Sequence, residues 1–97
     1  MVFLISMEYE AFPAGDLIRQ GIEDIQGGIE SPLALLVAIG RPRLVRIGVS
    51  VPEFSVKFPE MRLYERISQA DPDAAHSRYN ALIRRLVSFE RAVECAG

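Results

Sequence analysis

The chain holds one histidine, His76, and one cysteine, Cys95, at the two ends of the stretch AHSRYNALIRRLVSFERAVEC, with Tyr79, Asn80 and Glu90 between them. Imidazole, thiol and carboxylate together are the raw material of metal binding, nucleophilic catalysis and general acid–base chemistry. All three need their groups within a few ångströms of each other. The spacing denies this. If the stretch is one helix, His76 and Cys95 stand 19 positions apart, roughly 28 Å at 1.5 Å per residue. Glu90 is 14 positions from His76, roughly 21 Å by the same rise. No HExxH, CxxC, GxSxG or glycine-rich phosphate loop occurs anywhere in the chain. The residues therefore imply no catalytic group, no metal site and no cofactor, and lean away from an enzyme. A site shared between two copies of the chain is the one route by which His76 or Glu90 would regain partners.

The helix that disperses these groups is strongly signalled. Asp71-Pro72-Asp73 supplies a capping acid, a proline where its missing N–H does no harm, and a second acid at the positive dipole end. Beyond it Ala75, Tyr79, Leu82, Leu86, Phe89, Val93 and Ala96 recur at alternating spacings of four and three, the a/d seam of a helix-packing face. Tyr79, Leu82, Leu86, Phe89, Glu90 and Val93 are accordingly the candidate interface and specificity residues. Glu90 is the anomaly among them. It projects about 40° from Leu86 and about 60° from Val93, inside the apolar arc, with no basic residue three or four positions away. A carboxylate there calls for an arginine from another element or another chain, or else a raised pKa. His76 reads as a helix-boundary residue, hydrogen-bonded to Asp73 or to neighbouring backbone.

Arg41, Arg43 and Arg46 form the second constellation, with no acid between Glu30 and Glu53. LALLVAIGRPRLVRIG has the outline of a helix, a glycine-containing turn starting a second helix at Pro42, and a stop at Gly48. A recognition helix would present such arginines to phosphates or guanine edges. The pI of about 5.4 and the absence of a polar face on the first helix weigh against that reading. The charge layout offers a plainer one. Residues 1–40 carry six acids and one base, residues 41–97 ten bases and seven acids, so the arginines answer the acidic N-terminal third or a partner copy.

Proline and glycine punctuate the rest. Pro13 to Gln26 places Ala14, Leu17, Ile18, Gly21, Ile22 and Ile25 on one arc, with Gly21 marking a close helix crossing and Gly27-Gly28 ending the run. Ser31-Pro32 opens a second helix whose Leu33, Leu35, Leu36, Val37 and Ile39 leave no polar face, so it belongs at the centre. Phe54, Val56 and Phe58 alternate with polar residues in an extended segment over 49–58, a short strand or strap for which VFLI near the N-terminus is the available partner. Pro59 restarts helix through about Gln69, with Leu63, Tyr64 and Ile67 on one side.

The expected fold is mainly α: one small domain over 1–97 of four to five helices, with an N-terminal arm over 1–12, a long C-terminal helix and one short extended segment. Half the residues are hydrophobic (49%), a generous supply for so short a chain, and any excess becomes a patch that marks contact with another chain. A lone cysteine suits a reducing compartment. MVFLIS lacks the basic and cleavage elements of a signal peptide, and Met7 offers a second start. The expectation is a cytoplasmic interaction or regulatory protein that pairs with itself or a small protein partner, away from membranes. A nucleic-acid-associated regulator using Arg41, Arg43 and Arg46 is the alternative.

Overall fold

Two glycines end the first two helices in the same way, and these ends fix how the chain turns back on itself. The computed structural model describes residues 9–96. Helix α1 spans Gly15–Gln26 and α2 spans Pro32–Arg46. After α1, Gly28 adopts φ +73° and donates to the Ile25 carbonyl, while Ile29 N–H reaches the Asp24 carbonyl at 2.8 Å. After α2, Gly48 adopts φ +98°, donates to Val45, and Val49 N–H reaches Leu44 at 2.9 Å. This paired 5→2 and 6→1 pattern needs a left-handed residue, which glycine adopts without the Cβ clash. The start of α2 is equally explicit. Ser31 Oγ accepts the Ala34 N–H at 3.1 Å and donates to Asp24 Oδ2 at 2.5 Å, so one hydroxyl caps α2 and ties it to α1.

Helix α2 is the centre of the fold and packs against α1, α3 and α4. Ala34, Leu35, Leu36, Val37 and Leu44 are fully buried. The expected break at Gly40–Pro42 is absent. One helix runs through to Arg46 with Pro42 inside it. Pro42 withdraws the N–H that the Ala38 carbonyl would accept, a cost of about 3 kcal/mol in an isolated helix. Tertiary packing on both sides of it outweighs that cost, since Gly40 is seated against α4 and Leu44 is fully buried. The helix-turn-helix outline therefore has no turn.

Helix α3 spans Pro59–Ala70 and α4 spans Ala75–Ala96. Residues 49–58 connect α2 to α3 without forming a strand. Val49 and Val51 are buried, Phe54 and Val56 pack on the core, and Ser50, Glu53, Ser55 and Lys57 are exposed, but the expected alternation stops short of Phe58, whose ring is 69% exposed. The VFLI segment expected to pair with this strap lies outside the described residues. Asp71 Oδ1 accepts the Ala74 N–H at 3.3 Å and leads into α4, which continues unbroken for 22 residues. Leu86, Phe89 and Val93 of its seam are covered by the chain's own core. Phe89 is fully buried, with the rings of Tyr9 and Phe12 edge-on to it at 6.1 and 6.0 Å.

Candidate functional site

Helix α4 separates the groups that might have reacted. His76 and Cys95 are both exposed at opposite ends of the same continuous helix. His76 Nε2 lies 3.2 Å from Asn80 Nδ2, one turn along, rather than on Asp73. Among the described residues, no cluster of histidine, cysteine and acidic side chains could hold a metal ion.

Glu90 and the arginine triplet, read separately in the sequence, converge at the crossing of α2 and α4. Glu90 is buried at 8% exposure, and Arg43 Nε donates to its Oε1 at 3.1 Å. The cation thus comes from another element of the same chain. Two features make the crossing tight. A Cβ on Gly40 would stand 2.7 Å from Leu86 Cδ1 and 3.1 Å from Glu90 Oε2, so glycine leaves room for both side chains where they lie. Glu90 Oε2 itself has no hydrogen-bond partner among the described residues. A groove of about 330 Å³, lined by Arg43, Arg46, Ile47, Val87, Glu90, Arg91 and Glu94, runs beside it. Arg43 is half-exposed, so its pairing is screened by water, and Arg46 lies open to solvent. Arg41 is half-buried, with its Nε enclosed and unpartnered among the described residues. The three arginines do not form a single solvent-facing surface.

The six candidate interface residues divide. Leu86, Phe89, Glu90 and Val93 are covered by the chain itself, while Tyr79 and Leu82 are half-buried. Among the described residues, large apolar side chains open to solvent are Ile29 and Val45, standing singly, and three residues at the start of α3. Phe58, Met61 and Tyr64 are 69%, 62% and 40% exposed; three-residue spacing puts Met61 and Tyr64 side by side on α3, with Phe58 immediately before its first residue. Leu63 and Ile67, pointing away from Met61 at the centre of this stripe, hold α3 to the core. The sequence reading grouped Tyr64 with that inner pair. At 100° per residue Tyr64 lies about 60° from both Met61 and Ile67, so it borders the outer and the inner face, and its ring contact with Tyr79 keeps it partly on the inner side.

The stripe is built with backbone strain. Phe58 is the residue before α3 and adopts φ 52°, ψ 60°, the left-handed region, with no side-chain cap. A bulky non-glycine residue there costs roughly 1–2 kcal/mol. The proline that follows disfavours a right-handed helical conformation at Phe58. The result is an aromatic ring turned into solvent. At the other end of the stripe, Tyr64 meets Tyr79 of α4, ring centroids 5.7 Å apart at 65°. Burial, and secondarily the Glu60 carboxylate, push the Tyr79 hydroxyl pKa above its ordinary value near 10.0.

No described protein family, curated protein or solved structure matches this chain. Among the described residues, no helix is long and apolar enough to cross a membrane.

Proposed function

We propose that this protein is a non-enzymatic interaction protein of the cytoplasm that pairs with a second copy of itself through the outer stripe of α3. The observation that carries the reading is the strained, solvent-facing Phe58, leading into Met61 and Tyr64 on α3. The chain holds Phe58 in a strained backbone conformation while its ring stands in solvent. Strain of this kind persists where function requires it. Burying a large apolar side chain is worth roughly 1.5–3 kcal/mol, enough to recover the cost at Phe58 on association.

Charge favours a second copy as the occupant. Lys57 and Glu65 are exposed four positions either side of Met61, and neither has an ion pair among the described residues. An antiparallel copy related by a two-fold axis at Met61 sets Lys57 of each chain towards Glu65 of the other, and Phe58 towards Tyr64. Such self-complementarity is the requirement of an isologous interface. The free, exposed Cys95 fits a reducing compartment.

The nucleic-acid reading is supported less well. Arg43 is held by Glu90, and the segment that would have presented a recognition helix is one continuous helix.

The pairing is tested by cross-linking at the axis. In a Cys95→Ser background, Met61→Cys should form a disulfide-linked dimer under mild oxidation, while Val45→Cys, exposed on α2, should remain monomeric. Equal cross-linking at both positions, or none at Met61→Cys, would refute the α3 interface.

A further inference from the structure

We propose that the cleft between α3 and α4 is a binding site for a small amphipathic carboxylate, an apolar chain ending in one carboxyl group. The cleft is a half-open groove of about 520 Å³, a volume within the range of small-molecule sites. Its apolar lining is the buried Ile67 and half-buried Leu82, bordered by the exposed Pro32, Ala70 and Ala81. Its remaining lining residues are Arg66, Arg78 and Arg85, and no acidic residue lines it. An apolar lining beside three guanidinium groups is complementary to a molecule that is oily along its length and anionic at one end.

The sequence of α4 produces this arrangement directly. Arg78, Ala81, Leu82 and Arg85 are spaced i, i+3, i+4, i+7, so they share one face, with the arginines two turns and roughly 10 Å apart. One of the three guanidinium groups is anchored: Arg66 Nη2 donates to the Glu30 carbonyl at 2.6 Å. Arg78 is solvent-exposed, with its Nε 3.7 Å from Asp71 Oδ2, a long ion pair that leaves the side chain loosely held. Anchoring of Arg66 leaves its remaining N–H groups in place at the cleft and lowers the ordering cost of a new pair. Arg85 has no hydrogen bond or ion pair among the described residues. It is the free fork that a two-oxygen, planar carboxylate pairs bidentately. The spread of the cations along α4 also favours a single carboxylate over a compact, multiply charged phosphate, which needs convergent donors. The cleft residues are distinct from Phe58, Met61 and Tyr64, so the proposal does not depend on the pairing reading.

Octanoate, acetate, octylamine and octyl phosphate, titrated into the full chain and followed by amide chemical shifts, test the site. Octanoate should saturate with the largest shifts at Ala70, Ala81 and Leu82, and bind at least about tenfold tighter than each of the other three. The double substitution Arg78→Gln, Arg85→Gln should weaken octanoate at least about tenfold. Ala81→Leu, which fills the cleft with apolar volume, should abolish saturation while the melting temperature stays within a few degrees of wild type. Octylamine or octyl phosphate binding as tightly as octanoate would overturn the proposal. So would shifts centred elsewhere, or octanoate binding that survives both sets of substitutions.

Discussion

Tyr64 stacks edge to face on Tyr79, ring centroids 5.7 Å apart, and so links the exposed stripe of α3 to the long helix α4. The contact carries a pH dependence of definite sign. Burial and Glu60 raise the Tyr79 pKa in the folded chain, so the folded state favours the neutral phenol. That contribution to stability is fully present below the unfolded value near 10.0 and is lost as pH rises through the raised folded value. Thermal melts should therefore show falling stability above about pH 10. Tyr79→Phe, which keeps the ring contact and removes the titrating group, should flatten part of that fall. A Tyr79→Phe profile identical to wild type above pH 10 would deny the linkage.

Glu90 and Arg43 make an asymmetric pair, one partner buried and the other half-exposed. Removing Arg43 strands a buried carboxylate, whereas removing Arg46 strands nothing. Arg43→Ala should cost about 1–2 kcal/mol, moderated by solvent screening at the guanidinium. Arg46→Ala should fall within about 0.5 kcal/mol of wild type. Urea denaturation of the two variants checks the ordering, and equal losses would contradict it. Glu90→Gln retains the shape of the side chain at the crossing and should lie between them.

Gly40 and Gly21 mark close approaches of α2 to α4 and of α1 to α2. At Gly40 a new Cβ meets flexible atoms of Leu86 and Glu90, which can shift; at Gly21 it meets the Leu33 carbonyl oxygen and Val37 Cγ2, and a backbone atom cannot readily give way. Gly21→Ala should be the more destabilising, with overpacking at either site worth about 1–3 kcal/mol. Gly40→Ala as the costlier variant in a denaturant titration would reverse the account of these crossings.

Phe58 separates fold from surface. Phe58→Gly relieves the left-handed strain and gives up little buried area, so the isolated chain should gain up to about 1 kcal/mol despite the greater entropy of glycine when unfolded. The same substitution should weaken pairing. A dilute sample that melts higher and a concentrated sample that associates less together identify Phe58 as an exposed contact residue. If Phe58→Gly lowers the dilute melting temperature by several degrees, the ring supports the fold instead.

Helix starts and stops were the most legible features of the sequence, because caps are local chemistry. Ser31, Gly28 and Gly48 act where their residue types say they should, and Gly21 sits at a helix crossing as its place in the apolar arc implied; Asp71 instead closes a turn over 72–74, and α4 begins only at Ala75 with no acid in its first turn. Pro42 misled because helix breaking is only a local tendency. Whether the chain continues through a proline depends on what Gly40 and Leu44 gain against the rest of the molecule, which no window of sequence contains. Glu90 was recognisable as a misplaced charge, but its partner lies 47 positions away in the chain and could be named only as an arginine from elsewhere. Of the α4 seam, Ala75, Leu86, Phe89 and Val93 are buried by the chain's own core, while Tyr79 and Leu82 are half-buried and Ala96 is exposed; periodicity alone does not say which stretch the core will cover. Surface is what remains after the core is allotted, so the α3 stripe emerged only once Leu63 and Ile67 were seen to hold that helix.

The central claim is that the stripe of Phe58, Met61 and Tyr64 joins two copies of the chain, and the mass of the protein in solution against concentration tests it most directly. Sedimentation equilibrium should show the weight-average mass rising from the 10.8 kDa monomer towards twice that value with increasing concentration. Met61→Glu, which sets like charges against each other at the two-fold axis, should hold the mass at the monomer value without lowering the melting temperature of a dilute sample. A wild-type mass that stays at the monomer value throughout, or a Met61→Glu chain that associates as wild type does, would contradict the account.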